Sequence, residues 1–66
     1  MTVKEAREFI EMKIPDLNVE VREDRKGNVI AKYSERTATF EVSVNSWLML
    51  AQFVVSAENI HREILQ

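Results

Sequence analysis

The sequence contains no cysteine and only one glycine, one proline and one histidine among its 66 residues. Without cysteine, the chain can form neither a disulfide scaffold nor a thiolate zinc site, and it has no thiol nucleophile. The low content of glycine and proline excludes a collagen-like or low-complexity chain, and a lone glycine excludes a glycine-rich phosphate loop. No apolar run approaches the roughly 20 residues that span a bilayer.

The residues that are present predict a small folded protein. Hydrophobic residues make up 45% of the chain and charged residues 30%, a balance typical of one globular domain, which we expect to cover residues 1–66. The net charge of −2 is unfavourable for a dedicated polyanion-binding protein. The first residues are amphipathic and lack the basic leader of a signal peptide. We therefore expect a cytoplasmic protein that does not associate with membranes.

A first helix is predicted to begin after Thr2 and to end near Lys13. Thr2 and Glu5 have the spacing of a capping box, in which each side chain bonds the other residue's backbone amide. Apolar residues then recur at helical spacing, while Met12 lies outside the stripe. The stripe consists of Val3, Ala6, Ile10 and Ile14, with Phe9 at its border. Pro15 disfavours helical dihedrals at the residue before it, which ends the helix.

Alternating apolar and polar residues predict three strands, over residues 17–22, 29–34 and 38–44. Alternation is the pattern of a strand with one buried and one exposed face. The first connection contains Gly27, which tolerates a positive φ, whereas the second, over residues 34–37, contains neither glycine nor proline. Connections this short predict an antiparallel meander.

A second helix is predicted from about Trp47 to Ile64, with Asn45 or Ser46 as its N-cap. At 100° per residue, its apolar residues form one broad stripe. The stripe consists of Leu50, Phe53, Val54, Ala57, Ile60 and Ile64. The expected fold class is therefore α+β in the order α-β-β-β-α, a three-stranded antiparallel meander with two helices packed on one face.

Trp47, Leu48, Ala51 and Val55 form a second apolar patch beside that stripe. A small sheet and one short helix cannot cover the whole circumference of the second helix, so part of this patch should remain exposed. Exposed apolar patches often mark interfaces, and tryptophan is enriched at binding hot spots. The alternative is that Trp47 folds over the edge of the core and loops cover the rest.

We therefore expect a small intracellular protein-interaction module that binds through this patch. It would act as a homodimer, or as an inhibitor or adaptor that docks on a larger protein. Compact acidic chains of this size are common among phage and mobile-element proteins that block host machinery. This general similarity of type suggests a phage or mobile-element origin, and no individual residue indicates it.

The alternative function is binding to a nucleic-acid backbone through four basic residues of the first predicted hairpin. These residues are Arg22, Arg25, Lys26 and Lys32. The other interpretation, which we favour, is that they belong to an ordinary solvated turn. The element order is similar in topology to that of the double-stranded-RNA-binding domain, which places a basic cluster at the start of its second helix. Residues 46–51 here contain neither lysine nor arginine, which disfavours that function.

No residue set in the sequence predicts catalysis or a metal site. His61 is the only histidine and borders the apolar stripe, so we expect it to pack at the core margin. Glu5, Glu8 and Glu11 repeat every three residues and therefore spiral around the first helix without converging. We expect no enzymatic activity, no cofactor and no bound metal.

Overall fold

In the computed structural model, which describes residues 1–65, the chain forms two helices and three strands in the order α-β-β-β-α. The elements are α1 (Val3–Lys13), β1 (Val19–Glu23), β2 (Val29–Glu35), β3 (Ala38–Ser43) and α2 (Trp47–Leu65). The strands pair antiparallel in the order β1-β2-β3. The predicted fold class is confirmed, and the element ends differ from the predicted ones by one or two residues, where boundaries are least determined.

The ends of α1 form as the sequence predicts. The Thr2 hydroxyl accepts a hydrogen bond from the Glu5 amide at 3.1 Å, and the Glu5 carboxylate accepts from the Thr2 amide at 2.9 Å. The hydrogen bond from the Thr2 amide lowers the pKa of Glu5, because the ionised carboxylate is the better acceptor. At the other end, Ile14 leaves the helix with φ −136°, and Pro15 prevents a further turn.

The two hairpin turns use different residues to reverse the chain. In the first, the Asp24 carboxylate accepts a hydrogen bond from the Asn28 amide at 2.8 Å, which lowers the pKa of Asp24. Gly27 then adopts φ +84°, a conformation that costs glycine little. In the second turn, Arg36 adopts φ +53° in a two-residue loop between paired strand ends.

Both helices pack on one face of the sheet. The pairing register aligns Val21, Ala31 and Val42 across the strands, and Val19, Tyr33 and Phe40 form the next row. These rows form one hydrophobic cluster with Ala6 and Ile10 of α1 and with the buried side of α2. The opposite face carries Glu20, Arg22, Ile30, Lys32 and Glu41. The helices therefore present their outer surfaces on one side of the molecule.

Candidate interaction surface

The start of α2 determines which of its residues face the core. The Ser46 hydroxyl accepts a hydrogen bond from the Met49 amide at 3.2 Å, so Ser46 is the capping residue of the two that the sequence allowed. The rotation of the helix from that point buries Leu50, Phe53, Val54 and Ala57. Residues about 60° or more from the centre of this buried side therefore face α1 or solvent.

Trp47 lies between α1 and solvent. Its ring centroid is 5.7 Å from that of Phe9, with the ring planes tilted by 55°, a geometry favourable for aromatic pairs. The side chain nevertheless remains 52% exposed. About half of Trp47 is thus covered within the folded chain, and the other half is accessible.

The other members of the predicted patch are also accessible. Leu48 is 69% exposed and Val55 58% exposed, and Ala51 between them is half-buried. Residues three and four apart are neighbours on a helix surface, so these side chains and Trp47 are contiguous. We call Trp47, Leu48, Ala51 and Val55 the helical patch.

The helical patch continues onto α1. A groove of about 420 Å³ lies along α1 beside Trp47 and is lined by Phe9, Met12, Trp47, Glu5 and Glu8. Met12 is 69% exposed, which confirms its predicted position outside the core stripe. Apolar side chains from both helices therefore share one accessible surface, with two carboxylates at its rim.

The two helices run in the same general direction. Phe9 contacts Trp47 at the start of α2. Residues 13–17 line a cleft together with Glu58, His61 and Arg62, which lie in the second half of α2. The Arg62 guanidinium lies 3.6 Å from the Glu58 carboxylate; the Arg62 side chain is largely exposed and the Glu58 side chain partly exposed. The helical patch thus has the carboxylates of α1 near one end and this ion pair near the other.

The four basic residues of the alternative function occupy two different places. Arg22 bonds Glu41 at 3.1 Å on the open face of the sheet, and Lys32 lies in register between Glu20 and Glu41. Arg25 and Lys26 are exposed at the β1–β2 turn, beside Asp24. Carboxylates therefore accompany the basic residues at both places.

A polar network that the sequence did not predict joins β2 to α2. The buried Tyr33 hydroxyl donates a hydrogen bond to Glu35 Oε2, and His61 Nδ1 lies 2.7 Å from the same oxygen. Tyr33 and Glu35 are two residues apart on one strand face, a spacing that was visible in the sequence. His61 lies 26 residues away, and only the packing of α2 brings it to the pair.

The network shifts the ionisation of two of its members. Burial, followed by the bond to Glu35, raises the pKa of Tyr33 to about 12. Hydrogen bonds from Tyr33 and His61 lower the pKa of Glu35. An ionised Glu35 only accepts hydrogen bonds, so Nδ1 of His61 is the donor in its bond with Glu35. His61 lies half-buried at the core margin, as expected, and its ring holds the end of α2 to the sheet.

Neither a membrane span nor a metal cluster is found in residues 1–65. Neither helix combines the length and the apolar character that crossing a membrane requires. No group of three or more His, Asp or Glu side chains in this range is placed to hold a metal ion. In comparisons with known proteins, the chain matches no family model, no curated protein and no solved structure.

Proposed function

We propose that this protein is a protein-interaction module that binds its partner through the helical patch. The observation that supports this proposal is the exposure of Trp47, Leu48 and Val55, each more than half accessible on one side of α2. Large side chains grouped in this way are characteristic of binding surfaces, whereas isolated exposed apolar residues are ordinary.

The chemistry of the patch fits a protein partner. Tryptophan combines a large apolar area with one N–H donor and is enriched among residues that dominate binding energy. Met12 adds a flexible side chain that can adapt to the opposing surface. Glu8 and Arg62 lie at opposite ends of the patch and would provide a polar rim, the usual surround of an apolar interface centre.

Two kinds of partner match this surface. A second copy of the chain would make the protein a homodimer. A larger protein would make it an inhibitor or an adaptor, as phage and mobile-element proteins of this size often are.

Site-specific photocross-linking in cells of the source organism tests the proposal. A photoreactive phenylalanine analogue at Leu48 should form an adduct with the bound protein. The matched control places the analogue at Thr39, which is exposed on the open face of the sheet. Adducts from Leu48 that are absent from Thr39 would support the proposal, and their mass separates a second 7.7 kDa chain from a larger partner.

A second change links the adduct to the patch. Val55→Glu, combined with the analogue at Leu48, should abolish the adduct because it places an unpaired charge within an apolar interface. Val55 is exposed, so this change should leave the fold intact. An adduct that survives Val55→Glu, or one formed equally from Thr39, would contradict the proposal.

A further inference from the structure

We infer that the helical patch is covered by a second copy of this chain, with the two α2 helices packed antiparallel about a two-fold axis at Ala51. This inference rests on the proposed function and names its partner. Ala51 has the smallest side chain of the patch and lies at its centre, which allows two helix backbones to approach closely. A two-fold axis at that point makes the patch complementary to itself.

Helix geometry places large and small residues opposite one another in this arrangement. In an antiparallel pair, residues at equal distances on either side of the axis meet, so Trp47 lies opposite Val55 of the second copy. Leu48 then lies beside the same contact. Each indole would pack on an aliphatic side chain and on the flank of Ala51, and all of the helical patch would be buried.

The first charge match concerns the start of α2. Glu58 lies seven residues from Ala51, about 10.5 Å along the axis at 1.5 Å per residue. In the antiparallel pair, this distance places the Glu58 carboxylate of one copy beside the first turn of α2 in the other copy, next to Ser46. The first turn of α2 contains no acidic residue of its own. A carboxylate from the second copy would therefore be attracted to the positive end of this helix.

The second charge match joins α2 of one copy to α1 of the other copy. Arg62 lies eleven residues from Ala51, about 16.5 Å along the axis. Because helical side chains lean toward the N-terminus of their own helix, its guanidinium would reach back toward Trp47 of the second copy. Glu8 lies there, in the groove beside that Trp47. The two-fold axis forms this Arg62–Glu8 contact twice.

A single introduced cysteine tests the position of the axis. The chain contains no cysteine, so Ala51→Cys provides the only thiol. Helix axes 8–10 Å apart bring the two Cα atoms at a crossing point to within about 4–5 Å, a distance that a disulfide spans. Mild oxidation should therefore link Ala51→Cys into a dimer. The matched control is Thr39→Cys on the open sheet face, which should form no covalent dimer.

Charge reversal tests the predicted ion pair without altering the apolar centre. Arg62→Glu and Glu8→Arg should each raise the dimer dissociation constant about 5- to 30-fold, because each change affects two symmetry-related contacts. The double variant should recover most of the wild-type affinity. Arg62→Glu also breaks the ion pair with Glu58, and recovery in the double variant distinguishes the contact between copies from that local effect.

Sedimentation of the wild-type protein completes the test. A concentration-dependent rise to twice the 7.7 kDa monomer mass, with a cross-link from Ala51→Cys and recovery in the double variant, would support the inference. A monomer up to about 1 mM, the weak limit of specific association, would overturn it. So would a cross-link through Thr39→Cys in place of Ala51→Cys, or a double variant without recovery.

The two proposals can fail separately. A purified monomer whose Leu48 position still cross-links to a larger protein in cells would overturn the dimer and leave the interaction module standing. A monomer without any Leu48 adduct would overturn both.

Discussion

Each hairpin turn contains one residue with a positive φ, and the free-energy cost of that backbone conformation differs between the two residues. Gly27 adopts φ +84° and Arg36 adopts φ +53°. Glycine populates this region freely, whereas an L residue with a Cβ incurs about 1–2 kcal/mol. A two-residue loop with positive φ at its first position prefers glycine there. The second hairpin therefore contains a local strain that the first hairpin avoids.

Substitutions at these two positions should change the free energy of unfolding in opposite directions. Arg36→Gly should raise the free energy of unfolding by about 0.5–1 kcal/mol, because the relief of strain exceeds the added backbone entropy. Gly27→Ala should lower it by about 1 kcal/mol. An added Cβ at Gly27 meets nothing within 4 Å, so this loss measures the backbone alone. Urea unfolding gives both values, and a loss of stability in Arg36→Gly would contradict the assignment of strain.

At the scale of the element, α2 is a helix with two apolar sides. One side contributes Leu50, Phe53, Val54 and Ala57 to the core, and the other carries the helical patch. Local sequence patterns determined this division, because the angular position of each residue follows from 100° per residue once Ser46 caps the helix.

Two leucines on α2 provide a matched test of that division. Leu50 is fully buried and Leu48 is 69% exposed. Leu50→Ala should lower the free energy of unfolding by about 2–5 kcal/mol through lost burial and a residual cavity. Leu48→Ala should change it by less than about 0.5 kcal/mol at concentrations where the monomer predominates. Similar losses for both variants would mean that the helix is rotated from the described position.

At the scale of the whole molecule, the Tyr33–Glu35–His61 network couples β2 to the last turns of α2. Tyr33 is buried in the sheet, and His61 approaches Glu35 from the helix. The network thus adds polar contacts to apolar packing at the end of α2 farther from the helical patch.

The network predicts a loss of stability at alkaline pH. The pKa of Tyr33 is raised to about 12 from its ordinary value of 10.0. The unfolded chain therefore releases the phenolic proton first, so the contribution of Tyr33 is complete below pH 10 and is lost as the pH rises to about 12. Tyr33 is the only tyrosine, so tyrosinate absorbance of the folded protein reports this group directly.

The matched control for this prediction is Tyr33→Phe, which keeps the buried ring and removes the titrating hydroxyl. Urea midpoints measured between pH 10 and pH 12 should fall more steeply in the wild-type protein than in the variant. Parallel declines would show that groups other than Tyr33 cause the alkaline loss. A tyrosinate midpoint near 10.0 in the folded protein would contradict the burial of the hydroxyl.

Only part of the Tyr33–Glu35–His61 network could be predicted from the sequence. The alternation in β2 placed Tyr33 toward the core, and the helical period placed His61 at the core margin. Their connection through Glu35 depends on the angle and position of α2 over the sheet, which no local pattern specifies. For the same reason, the sequence left open whether Trp47 is buried or exposed.

The amino-acid sequence by itself determined the elements, their order and the two apolar sides of α2, because capping, alternation and helical periodicity act between residues close in the chain. The tertiary structure decided how far α1 shelters the indole of Trp47 and which side chains meet Glu35. Those outcomes depend on contacts between distant segments, whose geometry follows from packing the helices together on one sheet face.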